Sequence, residues 1–441
     1  IQAHTIGFKK PFSIFIFAAV ILFFPFWIEF LHFRMNHIVS SIAIVSSSLF
    51  GLTAHLGAKS LFEHNNRRRG FIYIFSSVLL FIITASCYQQ FIFFGIISFL
   101  GSILFRLLTP ETQLVSIRNI TQQIFLIAII FIIGLALYLM LTQILLTVLN
   151  ISPLPSGNAY SLSLVSSIDG YLSNIDRLFL YLKVYLLEGQ HLFPAFTKWI
   201  FLSCLIFLCR LFIVEIQHTH PSSKNLYILA FVVIMMSTLI SPWLLSIVRT
   251  PINSLRYNTL VPNSIVYGLI IALLIEKLSL SWYKVILTSM TGIMLLTFIF
   301  HHNAATFITQ ALNERDKAIA NRIIDRIEQD PQYQLLRYQE RVFIYVYGKP
   351  TVIEERPFSA VITNGSVMDD SKIQCGIFDA CQMGYLNQLF RFIQSDDFEY
   401  VAIVRPPQSQ NHRDRWEEIY QYTIDNQIPV WPAQQSVDVT D

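Results

Sequence analysis

The chain has 441 residues, of which 54% are hydrophobic and only 13% are charged, and its formal net charge is +3. A soluble globular domain carries about twice that share of charged residues, and a disordered chain would have low hydrophobicity. The composition excludes both classes and leaves a polytopic α-helical membrane protein.

The charged residues are unevenly distributed, which predicts two domains. Residues 1–300 hold 18 Lys or Arg and 8 Asp or Glu, whereas residues 301–441 hold 13 and 20. We therefore predict a basic membrane domain over 1–302 and an acidic soluble domain over 303–441, which is long enough to form its own core. The chain begins with Ile1 rather than Met, and we expect that further N-terminal residues precede it.

Hydrophobic segments predict about nine membrane spans in this chain. A helix needs about 20 mostly apolar residues to cross a bilayer core of about 30 Å. The segments that meet this requirement are 11–28, 38–57, 71–87, 91–108, 123–149, 197–216, 226–247, 264–280 and 284–301. Only Tyr88, Gln89 and Gln90 separate the third from the fourth, which is typical of a helical hairpin.

Basic residues predict the orientation of these spans. With nine crossings, five connections rich in Lys and Arg fall on one side, which the positive-inside rule makes cytoplasmic. Their residues are Lys9, Lys10, Lys59, Arg67, Arg68, Arg69, Arg106, Arg118, Lys224, Lys277 and Lys284. The outer side then receives the loops 29–37, 88–90, 150–196 and 248–263 and the C-terminal domain.

Two outer regions have predicted structure of their own. In the long loop, regular apolar spacing over 175–187 favours a helix at the membrane interface over a disordered loop. In the tail, a helix over 304–329, strands over 342–347 and 398–404 and a helix over 413–426 predict a small α/β domain. Cys375 and Cys381 in this domain form either a disulfide or two reduced thiols.

Glu29 and Arg34 are the first candidate functional residues. Only a few acidic residues lie on the outer side, and Glu29 follows Pro25, which interrupts the helix, and Trp27, which suits the membrane interface. Charged groups are costly at this depth and often functional. The alternative is a Glu29–Arg34 ion pair that only fixes the loop.

A second candidate cluster contains Arg249 and Arg256, two cations on the side that the positive-inside rule disfavours. A phosphate or pyrophosphate would offset them, because guanidinium matches phosphate oxygens. Ion pairs with Asp169 or Asp176 are the alternative. The sequence has no nucleotide-phosphate loop and no zinc-type spacing of ligands, so no metal site and no nucleic-acid partner is predicted.

The residues resemble a known family. The stretches from Phe24 to Glu29 and from Phe33 to Asn36 resemble the Asn-Pro-Tyr-x-x-Glu and Phe-Arg-x-Asp motifs of bacterial serotype-converting O-antigen glucosyltransferases (Gtr type II), membrane enzymes of the GT-C class. Tyr88-Gln89 resembles the next helical turn of that family, and the region of Arg249 and Arg256 resembles its late outer loop. Asn36 replaces the family's Asp.

The resemblance implies a function that residue chemistry alone does not give. It implies transfer of a sugar, glucose in that family, from a polyprenyl-phosphate donor to O antigen or another cell-surface glycan at the bacterial inner membrane, with the C-terminal domain in the periplasm. Glu29 and Arg34 would then support catalysis, and Tyr88, Gln89, Arg249, Arg256, Asp169 and Asp176 would bind substrate.

The family's acidic pair has no counterpart in this chain, and we expect it N-terminal to Ile1. The need for a divalent metal, or for any cofactor, therefore stays open. A transporter or flippase of lipid-linked sugars is the alternative function, and a membrane anchor for a binding domain is a third hypothesis. The absence of an internal repeat disfavours the transporter.

Overall fold

The protein is described by a computed structural model that covers residues 1–27, 36–109, 117–150, 168–183, 195–219, 224–244, 261–278 and 281–329. Its contacts divide the chain into two units, Ile1–His302 and Asn303–Asp441. The described residues form helices and turns, without strands. The α-helices are α1 (Gln2–Ile6), α2 (Pro11–Leu22), α3 (Asn36–Phe62), α4 (Arg67–Tyr88), α5 (Ile92–Leu107), α6 (Ile117–Val148), α7 (Ile168–Lys183), α8 (Ala195–Thr219), α9 (Lys224–Ile240), α10 (Asn263–Lys277) and α11 (Ser281–Gln329).

Within the described residues, six helical stretches are long and apolar enough to cross a membrane, so the predicted count of nine spans is not confirmed. Two predicted spans form helices that are shorter than a bilayer requires, α2 with 12 residues and α10 with 15. Two others, α4 and α5, count as one stretch, Arg67–Leu107. A multi-pass helical membrane protein is nevertheless what these helices indicate.

The chain reverses direction between α4 and α5. Tyr88 has an extended backbone (φ −160°), which ends α4, and a short 3-10 turn follows at Gln89–Phe91. Helix α4 is antiparallel to α3, since Ser46 Oγ lies 2.9 Å from Thr84 Oγ1 and Ser77 Oγ donates to Thr53 Oγ1 at 2.8 Å. Helix α5 runs parallel to α3, because Ser47 contacts Gly95 and His55 contacts Ser102. Helices α4 and α5 therefore form the predicted hairpin.

Helices α3 and α5 pack closely along their length. At one end, Gly95 N donates to Ser47 Oγ at 2.8 Å, and at the other, His55 Nδ1 lies 3.0 Å from Ser102 Oγ. Between these pairs, a Cβ on Gly51 would lie only 2.7 Å from Gly95 O. The absence of side chains at these two glycines therefore permits the backbones to approach, as small residues do in membrane helix pairs.

Two helices lie in the centre of the bundle. Every residue from Ile92 to Leu104 in α5 and from Ser264 to Glu276 in α10 is buried. Helix α10 packs antiparallel to α2, because Lys10 N donates to Glu276 Oε2 at 3.3 Å while the rings of Phe24 and Tyr267 are 5.5 Å apart. Central helices do not face lipid, which explains how a helix as short as α10 can lie within the domain.

Several predicted boundaries differ from the structure. The predicted outer loop 29–37 is too long, because α3 already begins at Asn36. The predicted interface helix 175–187 is observed as α7 with an earlier start, at Ile168. The predicted helix 304–329 is part of α11, which begins at Ser281. The predicted strands 342–347 and 398–404, the helix 413–426 and the cysteine pair lie outside the described residues, so the α/β domain stays a prediction.

We expect Gly51→Ala to destabilise the membrane domain by about 1–3 kcal/mol, the usual cost of overpacking. The added methyl group would meet backbone atoms of Gly95, which cannot rotate away. Gly292→Ala in α11 is the matched control, because its Cβ would meet no atom within 4 Å. Thermal unfolding of the purified protein in detergent measures both; equal midpoints for the two variants would contradict the predicted clash.

Candidate functional site

The described ionic contacts gather at one end of the bundle, which we call the basic rim. Arg106 Nη2 lies 2.6 Å from Glu63 Oε1, and Gln123 Nε2 donates to the same carboxylate at 3.4 Å. Lys277 Nζ donates to Thr109 Oγ1 and lies 4.3 Å from the centre of the Phe105 ring. The ends of α3, α5 and α10 and the beginnings of α4 and α6 therefore meet at this rim.

The connection before α9 belongs to the same end. Helix α8 starts at the end of the bundle far from the rim, and there Phe201 stacks on Tyr267 with ring centres 3.8 Å apart. It approaches the rim at Phe207, whose ring centre lies 5.8 Å from that of Tyr283. Helix α9 returns along α8, with Phe231 stacked on Phe212. The basic connections predicted to share one side thus lie at one end of the bundle. Which face of a membrane this end occupies stays a prediction.

An aromatic cluster occupies the opposite end, where the sequence places its candidate site. Trp27 stacks on Phe91, with ring centres 5.7 Å apart, and meets Phe94 edge-on at 6.1 Å. The indole N–H of Trp27 donates to Ile21 O at 2.6 Å. The cluster consists of Phe24, Trp27, Tyr88, Phe91, Phe94, Phe201, Tyr267 and Phe298. All five phenylalanines of the cluster are buried in the bundle.

Tyr88 belongs to this cluster and Gln89 lies beside it, close to the Pro25–Trp27 turn. The Tyr88 ring contacts Phe91 at 5.5 Å, and Phe91 in turn stacks on Trp27. Gln89 Nε2 donates to Tyr138 OH at 2.9 Å, which ties the turn to α6. The structure therefore brings two predicted substrate-binding residues next to the Pro25–Trp27 turn. Four predicted site residues lie outside the described residues: Glu29, Arg34, Arg249 and Arg256.

Asp169 and Asp176 lie seven residues apart on an exposed face of α7, together with Leu172 and Phe179. The opposite face buries Asn174 and Leu178. In the described part of the chain neither carboxylate makes an ion pair, and no contact joins them to Tyr88 or Gln89. Their role in substrate binding stays a prediction.

A buried cation lies at the aromatic end and was not predicted from the sequence. Lys198, in the first turn of α8, is only 2% exposed, and the neighbouring Thr197 is fully buried. Lysine on the predicted outer side also opposes the positive-inside preference, the signal that makes Arg249 and Arg256 candidates in the sequence. Because burying an ammonium group is costly, this position needs negative or polar partners.

Lys198 lies next to the beginning of a second helix. Helices α8 and α10 are parallel, and their stacked residues Phe201 and Tyr267 set their relative height. One turn earlier on each helix stand Lys198 and Ser264. Ser264 is fully buried, and its hydroxyl has no hydrogen-bond partner in the described part of the chain. The stacked pair therefore places the first turns of the two helices, one with Lys198 and the other with Ser264, at the same level of the bundle, and helix N-termini favour an anion.

No metal centre is found among the described residues, where no three His, Cys, Asp or Glu side chains come together. Cys87, Cys204 and Cys209 are free thiols. Comparison with family models, curated proteins and solved structures gave no match to this chain.

We expect Trp27→Leu to lower the midpoint of thermal unfolding, because it removes the stacking on Phe91 and the hydrogen bond to Ile21 O. Loss of these contacts should cost about 2 kcal/mol or more. Trp199→Leu is the control, since Trp199 is 56% exposed on α8. A Trp27→Leu protein as stable as the Trp199→Leu protein would show that the cluster does not hold this end together.

Proposed function

We propose that the chain is a membrane glycosyltransferase that moves a sugar from a polyprenyl-phosphate donor to a cell-surface glycan, at the face opposite the basic rim. The resemblance to the O-antigen glucosyltransferases suggests glucose as the sugar, O antigen as an acceptor and a bacterial inner membrane with a periplasmic C-terminal domain. Of the residues that carry this resemblance, Trp27 and Tyr88 lie in the aromatic cluster and Gln89 lies beside it.

The burial of Lys198 and Ser264 in the first turns of two parallel, neighbouring helices is the observation that supports this proposal most. A lipid-linked donor presents its phosphate at the membrane surface, at the level where these two helices begin. An ammonium group and the N-terminal amides of two helices stabilise negative charge there, and the Ser264 hydroxyl can donate a hydrogen bond to a phosphate oxygen. Arg249 and Arg256 are the proposed further contacts to the same phosphate.

The proposed reaction develops charge where Lys198 lies. The acceptor hydroxyl attacks the anomeric carbon of the sugar, a new carbon–oxygen bond forms, and the bond from that carbon to the phosphate oxygen breaks. The proton of the acceptor passes to a carboxylate acting as general base. The negative charge that the leaving lipid phosphate gains is stabilised by Lys198, as preorganised cations do in other active sites.

Glu29 and Arg34 have supporting roles in this proposal. Glu29 follows Trp27 by two residues, and Trp27 is fixed by its stacking and its hydrogen bond. We assign Glu29 the orientation of the acceptor and Arg34 a contact to the donor phosphate.

We expect Lys198→Met to reduce transfer from a polyprenyl-phosphate sugar by roughly ten- to a hundred-fold, the loss expected for one charged contact. Methionine matches the length of lysine and is easily buried, so the folded yield should hold. The measurement is sugar transfer to a glycan acceptor by vesicles that contain the full-length natural protein. Lys224→Met at the basic rim is the control and should leave transfer unchanged.

Two outcomes would contradict different parts of the proposal, the role of Lys198 and the transfer activity itself. Normal transfer by the Lys198→Met protein would remove the buried lysine from the mechanism while leaving the activity standing. Movement of the lipid-linked sugar across the vesicle membrane without any transfer product would reject the glycosyltransferase and favour the transporter alternative.

A further inference from the structure

A cluster of arginines lies on the outside of the bundle at the basic rim, and the proposed transfer reaction does not use it. Arg67, Arg68 and Arg69 form the first turn of α4, and Arg118 lies in the first turn of α6; all four are exposed. We call these four residues the arginine face. In the described part of the chain no acidic side chain pairs with any of them, whereas Arg106 at the same end is paired with Glu63.

The two helices that carry the arginine face are parallel neighbours. Phe81 of α4 meets Phe131 of α6 with ring centres 5.7 Å apart, and Gln89 bonds Tyr138 at the far end of the same contact. In both contacts the residue number on α6 exceeds that on α4 by about 50. The same difference places Arg68 level with Arg118. The first turn of α4 is also fixed, because the Asn66 side chain accepts a hydrogen bond from Arg69 N at 3.1 Å.

Each helix continues from its arginine into an exposed apolar stripe. Arg68 shares a helical face with Phe71 and Phe75, each 66% exposed. On α6, Phe125 and Ile132 follow Arg118 at intervals of seven residues and are 67% and 65% exposed. In a membrane protein such side chains contact the acyl chains of lipid. Each stripe thus pairs an apolar surface at membrane depth with a cation at its end.

We propose that the arginine face and the two stripes below it bind anionic phospholipids of the surrounding leaflet. The lipid phosphate accepts hydrogen bonds from the guanidinium groups, whose geometry matches phosphate oxygens, and the acyl chains lie along Phe71, Phe75 and Phe125. Exposed arginines above a lipid-facing surface attract anionic headgroups through charge complementarity. A zwitterionic lipid has the same acyl chains but no net charge, so it binds this surface less well.

The test uses the full-length protein in phosphatidylcholine vesicles that contain spin-labelled phosphatidylglycerol or, separately, spin-labelled phosphatidylcholine. Electron paramagnetic resonance measures the fraction of each lipid that the protein immobilises. We expect the wild-type protein to prefer phosphatidylglycerol, and Arg68→Gln to lower that preference by up to about five-fold. The combined variant Arg67→Gln, Arg68→Gln and Arg118→Gln should abolish it, and Arg68→Lys should retain most of it.

A matched control removes the same charge from the same end of the bundle. The variant Lys9→Gln, Lys224→Gln and Lys284→Gln loses three cations outside the arginine face and should keep the lipid preference. An unchanged preference in the triple arginine variant would overturn the proposal, and so would an equal loss in the lysine control. Displacement of phosphatidylglycerol by millimolar-range inorganic phosphate would also overturn it, because it would show a site for free phosphate rather than for a lipid.

Discussion

The close approach of two backbones at Gly51 and Gly95 determines how the ends of the membrane domain are arranged. Helices α3 and α5 are parallel and in direct contact there, and α4, which lies between them in the sequence, runs in the opposite direction. The chain consequently turns at Gln89–Phe91 at one end, while Glu63 meets Arg106 at the other. One end receives the ionic contacts and the other receives the aromatic rings. The separation of cationic and aromatic ends, on which the functional account depends, follows from this packing.

Hydropathy predicted where helices occur because a membrane segment must satisfy its backbone internally and be apolar outside. It could not distinguish a lipid-facing helix from a buried one, since both are apolar. Helix α5 is buried along nearly its whole length, whereas α4 exposes Phe71 and Phe75, although both were predicted as apolar spans. For the same reason the short helix α10 was expected as an ordinary span. Charge was the more informative signal, because Arg106 and Lys277 marked the helix ends that meet.

The candidate site was predictable in part. The turn at Tyr88 and Gln89 was visible as a polar interruption between two apolar segments, and the structure places it against Trp27 through Phe91. Lys198 was not found, because burial depends on which neighbouring helix covers a residue, and sequence spacing does not state that. The resemblance to glucosyltransferases and the chemistry drawn from it stay predictions. The structure adds two observations that the sequence does not contain, the burial of Lys198 and a buried Ser264 hydroxyl without a hydrogen-bond partner among the described residues.

The central claim is that the bundle has one cationic end and one aromatic end, and site-directed thiol labelling tests it most directly. In full-length protein with its native cysteines replaced by serine, Lys9→Cys, Arg68→Cys and Lys224→Cys probe the basic rim, and Leu149→Cys, after the far end of α6, probes the other side. A membrane-impermeant reagent added to sealed, uniformly oriented vesicles should label the three rim positions from one side and Leu149→Cys from the other. Rim positions that label from different sides, or together with Leu149→Cys, would contradict the account.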